Sequence, residues 1–262
     1  MVRVDPSVDL VIPAHNEEST IAGILHHVLT DPETTKLLSQ IIVVNDFSTD
    51  RTAEVALDFG ATVVHTEEVG LNGPGKGEAL WLGFQHCNAD IIVTCDADLE
   101  NFQPRSLRLL VEPLLDSEST LFAKAAYQSD PSHESQRVTT LTARPLLAIY
   151  YPELATLASP LAGEIAVRAS VLEQARLVSG FGVDVALLVD AYLQGGRSSI
   201  VEVDLGVKRH RHHSLAELGH QAEEVTRAIL DCANVLPRNQ ISGSSTSTPT
   251  RLPPINRQDS NS

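Results

Sequence analysis

The chain has 262 residues, a formal net charge of −15 and 42% hydrophobic residues, of which few are aromatic (4%). That length serves one large domain or two small ones, with a core made mainly of Leu, Val, Ile and Ala. The acidity argues against general nucleic-acid binding, which needs phosphate neutralisation, so an anionic substrate must meet local positive charge.

In chain order, the first half alternates strand-like and helix-like segments. DLVIPA (9–14) predicts a strand, and STIAGILHHVLT (19–30) has apolar residues at helical spacing. QIIVVND (40–46) is the second strand; STDRTAEVALDFG (48–60) reads as a helix capped by Ser48, Thr49 or Asp50 and stopped by Gly60. ATVVH (61–65) is the third strand, GKGEALWLGFQHC (75–87) a helix entered through a glycine turn, and ADIIVTC (89–95) the fourth strand. This alternation predicts an α/β fold with a mostly parallel sheet flanked by helices. Right-handed crossovers then place the C-terminal ends of the strands on one rim, where ligands bind in such folds.

The second half is less regular. Residues 104–115, 137–151 (bent at Pro145), 182–195 and 214–236 read as helices, the last opened by a Ser214–Glu217 capping box. EIAVR (164–168) and SIVEVDLGV (199–207) read as strands. One domain over 1–236 is expected, followed by a disordered tail, 237–262, rich in Ser, Thr, Pro and Asn. Cys87, Cys95 and Cys232 fit neither a zinc spacing nor a disulfide framework and point to a reducing cytoplasm. No run of 18 apolar residues predicts a membrane span, and acids interrupt the N-terminus too early for a signal peptide.

Three strand ends carry polar groups: Pro13-Ala14-His15-Asn16-Glu17, Asp46-Phe47-Ser48 and Asp96-Ala97-Asp98. The two aspartates of D-x-D repel each other unless something positive meets them. A turn there can aim both at one Mg²⁺ or Mn²⁺, which in turn neutralises a diphosphate. Lys76 between glycines at a helix start suits a phosphate, or is an exposed lysine in a flexible turn. Asp46 is a partner for a base edge, or a helix cap. KRHRHH (208–213) reads as a short nucleic-acid patch, a solvated turn, or a segment delivering a metal ligand and anion-binding charge to the rim.

VIPAHNEEST, VVNDFSTDRT, GKGEAL and CDADLENF, in that order, resemble the nucleotide-sugar glycosyltransferases of the GT-A fold. PLAGEIAVR (160–168), GFGVDVALLVD (180–190), RVTTLTARPLL (137–147) and VDLGVKRHRHHSLAELG (203–219) are similar to the retaining glucosyl-3-phosphoglycerate synthases. The resemblance implies a nucleotide-sugar half, about 1–127, and an acceptor half, about 128–236. It implies glucose transfer from UDP-glucose or GDP-glucose to the 2-hydroxyl of 3-phosphoglycerate, with Mg²⁺ or Mn²⁺, by a homodimer. Pro13, Ala14, His15 and Glu17 would line the nucleotide, with Asp46 near the uracil and Lys76, Asp96 and Ala97 on the donor. Asp98 and His210 would hold the metal, and Asp184 the sugar hydroxyls. Arg137, Thr139 and His212 would serve the acceptor. The chain departs from the family pattern at His15 (usually Leu), Ser135-Gln136 (usually glycines), Asp184 (commonly Glu) and His212 (usually Asn). Two other readings are a polyprenyl-phosphate glycosyltransferase and a non-catalytic sugar-nucleotide-binding protein.

Overall fold

Alternate residues of a strand face opposite sides of its sheet, and both sides here are apolar. The computed structural model describes residues 6–71, 73–128, 136–209, 214–235 and 251–256. Its strands are β1 (Val8–Ala14), β2 (Gln40–Asn45), β3 (Thr62–His65), β4 (Ile91–Thr94), β5 (Phe122–Ala126), β6 (Ile165–Arg168) and β7 (Ile200–Asp204). They form one sheet in the order β3-β2-β1-β4-β6-β5-β7. β1 pairs in parallel with β2 and β4, β2 with β3, and β5 with β7, whereas β6 runs antiparallel to both β4 and β5. The sheet is thus mostly parallel, with one reversed strand in the second half.

The helices are α1 (Glu18–Thr30), α2 (Pro32–Leu37), α3 (Thr52–Asp58), α4 (Lys76–Gln85), α5 (Arg105–Asp116), α6 (Arg144–Tyr150), α7 (Ala169–Gln174), α8 (Val183–Gly195) and α9 (Leu215–Cys232). Leu10, Ile12, Val43, Ile91 and Val93 pack on one face against Ile21 and Leu25 of α1 and Leu107 and Leu110 of α5. Val11, Ile42, Val44 and Ile92 pack on the other against Leu80 and Phe84 of α4, Leu187 of α8 and Ile229 of α9. α1 buries Ile21, Ile24, Leu25 and Val28, one helical stripe. Residues 183–189 of α8 are all buried, and Asp184 is the single ionisable group among them.

The capping box of α9 forms as expected, with Ser214 and Glu217 bonded reciprocally. Three features differ from the sequence reading. α2 was not expected, although Asp31 accepts from the Thr34 N–H and Pro32 sits in its first turn. The 137–151 segment is helical through Tyr150, but not regularly so: a π-helical stretch, Thr139–Ala143, leads directly into α6, which has Pro145 in its first turn. The tail expected to be disordered is ordered over 251–256. There the Leu252 N–H donates to the Leu177 carbonyl at 3.0 Å, Trp81 Nε1 donates to the Pro253 carbonyl at 2.7 Å, and Ile255 is buried. The remainder, 236–250 and 257–262, lies outside the described residues. No helix among the described residues is long and apolar enough to cross a membrane.

Candidate active site

The parallel pairing of β1, β2 and β4 brings their C-terminal ends to one edge. There they open onto a cleft of about 640 Å³. Its walls include Pro13, Ala14, His15 and Glu17 after β1, Asp46 after β2, Lys76 at the start of α4, and Asp96, Ala97 and Asp98 after β4. Asp184 enters from the first turn of α8, and Arg137 and Thr139 from the segment leading into α6. His210 and His212 lie outside the described residues.

Each loop is fixed by its neighbours. Asp46 makes no bond to the start of α3; Asp50, just ahead of the N-cap Arg51, accepts from the Thr52 N–H at 3.0 Å. Asp46 instead accepts from the Gly75 N–H at 2.7 Å and the Thr66 hydroxyl at 2.9 Å, bracing the glycine turn ahead of Lys76. Burial raises its carboxyl above the ordinary range, although both of those bonds oppose the shift. His15 Nδ1 donates to the Asp46 carbonyl at 2.5 Å, which leaves Nε2 to accept from the Asn16 amide at 3.0 Å.

At the centre runs an alternating ionic chain. Lys208 bridges Glu164 at 2.8 Å and Asp96 at 2.7 Å; Lys76 bridges Asp96 and Asp184, both at 2.9 Å. Both oxygens of Asp96 therefore meet ammonium groups, Lys76 on one and Lys208 on the other. Burial alone would push Asp96 up, but Lys208 and Lys76 overcome it and hold its carboxyl well below the usual range. Burial likewise opposes the charge on both lysines, and the carboxylates outweigh it, raising Lys76 and Lys208. Burial raises Asp184 and Glu164 against the pull of their lysines. Gly163 is needed for this packing: a Cβ there would lie 2.2 Å from Lys76 Nζ and 2.4 Å from Asp96 Oδ1.

Asp98 lines the same cleft with no hydrogen bond or ion pair among the described residues. A hard oxygen donor left unpaired beside a cavity of this size fits Mg²⁺ or Mn²⁺. No group of three His, Cys, Asp or Glu suited to a metal occurs among the described residues. A cation held by Asp98 would therefore need ligands beyond the described side chains, from substrate oxygens, water or residues outside that set.

The structure also adds wall residues that the sequence reading did not single out. Lys208 belongs to the basic run KRHRHH, but nothing in that run marks which member turns inward; its ammonium lies 5.6 Å from the centre of the Tyr127 ring. Glu164, 3% exposed and paired with Lys208, lies off the cleft wall itself; the sequence reading placed it in the strand EIAVR and the stretch PLAGEIAVR without giving it a role. Leu218, His220, Gln221, Glu224 and Val225 of α9 close one side. Glu224 accepts from the Phe181 N–H at 2.8 Å, and Glu78 accepts from the Gly180 N–H at 3.0 Å, so two carboxylates hold the turn that starts α8.

Residues 9–171 match the glycosyl transferase family 2 profile. The chain is 37% identical over 239 residues to glucosyl-3-phosphoglycerate synthase of Mycobacterium tuberculosis (strain ATCC 25618 / H37Rv), covering 86% of this chain and 72% of that protein. It is similar to the crystal structure of the M. tuberculosis synthase in complex with Mn²⁺, UDP-glucose and phosphoglyceric acid, with a TM-score of 0.81 and 36% identity over 89% of this chain and 82% of that one. The structure of the same synthase with Mg²⁺ and UDP superposes with a TM-score of 0.80 and 36% identity, over 89% and 81%.

Proposed function

This chain belongs to glycosyl transferase family 2, among its glucosyl-3-phosphoglycerate synthases, and from that premise we propose that it moves glucose from UDP-glucose to the 2-hydroxyl of 3-phosphoglycerate. The observation that carries the proposal is the convergence in one cleft of the D-x-D turn, Lys76, Asp184 and Arg137, from four separate stretches of sequence.

Pro13, Ala14, His15, Glu17 and Asp46 form the wall for the nucleotide, and Lys76, Asp96 and Ala97 the wall for the sugar diphosphate. Asp98, with His210, would hold Mg²⁺ or Mn²⁺, which supplies charge that stabilises a departing diphosphate. Arg137 offers a planar fork of N–H donors to the phosphate or carboxylate of the acceptor, beside the Thr139 hydroxyl, and His212 would serve the same acceptor. Asp184 is already paired with Lys76, which suits it to orient sugar hydroxyls rather than to attack the anomeric carbon. In this reading no side chain forms a covalent intermediate; the leaving phosphate oxygen takes the proton of the acceptor hydroxyl on the same face, and configuration is retained.

The reading extends to a cytoplasmic homodimer. Cys87, Cys95 and Cys232 form no disulfide, which suits a reducing compartment, and Leu141 and Ile149, 75% and 70% exposed, offer apolar surface for a second copy. A screen of UDP- and GDP-sugars against 3-phosphoglycerate and a polyprenyl phosphate, read by released nucleotide, tests the function. UDP-glucose with 3-phosphoglycerate is the expected pair. Release only with the polyprenyl phosphate, or with no donor at all, would overturn it.

A further inference from the structure

Lys124 sits in the middle of β5, 1% exposed, in a position where the sheet needs only packing. A buried ammonium is costly, and a methionine would fill that space without the cost. Among the described residues, no carboxylate is hydrogen-bonded to Lys124. Its Nζ donates to the Ala162 carbonyl at 2.6 Å, and the Phe122 ring lies 5.9 Å away.

That carbonyl belongs to the backbone that floors the ionic chain. The next one along, Gly163, is held by the Thr94 hydroxyl at 2.6 Å, and the following one, Glu164, by the Ala125 N–H at 3.0 Å. Three successive carbonyls are thus tied down by β4 and β5. Gly163, with no room for a Cβ beneath Lys76 and Asp96, transmits the height of this floor to both. Charge gives a second, independent reason. Glu164, Asp96 and Asp184 are three carboxylates, and Lys208 and Lys76 only two ammoniums, so the chain alone carries an uncompensated buried negative charge. Among the described residues, Lys124 is a further buried cation beside it. It faces Asp184 from α8, Lys76 from α4, Glu164 from the approach to β6 and Asp96 from the end of β4.

We propose that Lys124 is a positioning residue for glucosyl transfer: it fixes the Ala162–Gly163 floor and supplies the charge that keeps Asp184 and Asp96 paired with Lys76. It does not line the cleft and touches no substrate. The inference rests on the glycosyltransferase reading for its substrate, but the placement of Lys124 does not.

Burial, the largest influence, pulls the Lys124 ammonium down to about 8, against the pull of Asp184. It is protonated below that pH and neutral above it, so its contribution is present at neutral pH and fades as pH rises through about 8.

The test compares wild type with Lys124→Met by UDP release from UDP-glucose and Mn²⁺, with and without 3-phosphoglycerate, from pH 6.5 to 9.5 (approximate assay bounds chosen around that transition). Lys124→Met leaves three carboxylates to two ammoniums and is expected to melt somewhat below wild type yet to stay folded at the assay temperature, and to lose about 10-fold or more in kcat, with a smaller change in the KM for UDP-glucose. The alkaline fall in wild-type kcat near pH 8 is expected to be absent from the variant. Variant kcat within about twofold of wild type overturns the proposal. So does a loss of activity confined to temperatures at which the variant has begun to melt, which marks a merely structural residue. If the variant does not fold, a wild-type kcat flat across the alkaline range overturns it. Wild-type UDP release that 3-phosphoglycerate fails to stimulate counts against the acceptor reading alone, and the comparison of variant with wild type then stands on donor hydrolysis.

Discussion

The two sides of the cleft are built by different rules. On the nucleotide side, three parallel strands end at one edge, and each contributes the residues that follow it directly in sequence. On the acceptor side, β5, the reversed β6 and β7 send in residues from long connections and from α9. The first arrangement follows from local order alone, because right-handed crossovers leave little choice about where a strand end lies. The second depends on pairings between distant residues: Lys76 meets Asp184 across 108 positions, and Lys208 meets Asp96 across 112. The ionic chain lies where the two regimes join, with Asp96 and Lys76 from one side and Asp184 and Lys208 from the other.

The sharpest way to break this comparison is at the joint itself. Asp98→Ala removes the one acid of D-x-D that no lysine occupies, and turnover with Mn²⁺ is expected to fall by about 10³-fold or more. Asp96→Ala, by contrast, strands two buried ammoniums and should lose melting temperature as well as activity. Parallel effects of the two substitutions would show that the pair acts as a unit, against the division of labour described above. Next in size is Gly163→Ala. Its Cβ would need the space of Lys76 Nζ, 2.2 Å away, so kcat is expected to drop by about 10²-fold through misplacement of that ammonium. An active Gly163→Ala enzyme would mean that the floor under the ionic chain yields freely.

A smaller effect tests the acceptor side alone. Arg137→Ala is expected to raise the KM for 3-phosphoglycerate by about 10- to 100-fold, the worth of a charged hydrogen bond or two, and to leave the KM for UDP-glucose nearly unchanged. Equal effects on both substrates would contradict the separation of the two sides. Smallest of all is Trp81→Phe, which deletes the bond to the Pro253 carbonyl and nothing catalytic. A loss of about 1 kcal/mol in stability, seen as a fall of roughly 2–4 °C in melting temperature, is expected, with kcat intact. No change at all would mean that residues 251–256 contribute nothing to the folded chain.

The same division explains what could be read from sequence. β1, β2 and β4 are apolar runs flanked by helical periodicity, and Ala14, Asp46 and Asp96 were placed on one rim from that alternation alone. β5 was missed because FAKAA has a lysine where an apolar residue belongs, and a charge in mid-strand argues against burial until its partner is known. Glu164 and Lys208 sit in segments that were noticed, but no local pattern says that one carboxylate turns inward while its neighbours do not. The tail failed for a related reason. RLPPI lies in a polar, proline-rich stretch, and its order comes from Leu177, Trp81 and Asp231, far away in sequence. Local rules thus delivered the donor wall, whereas the charge network is tertiary and had to be seen.

The most direct measurement is the anomeric proton coupling in the NMR spectrum of the sugar product formed from UDP-glucose, 3-phosphoglycerate and Mn²⁺. Donor and acceptor meeting on one face of this cleft predict a new glycoside on the 2-hydroxyl with the small coupling of the α-configuration inherited from the donor. The large coupling of a β-linked product, or no glycoside at all while UDP-glucose is bound, would contradict it.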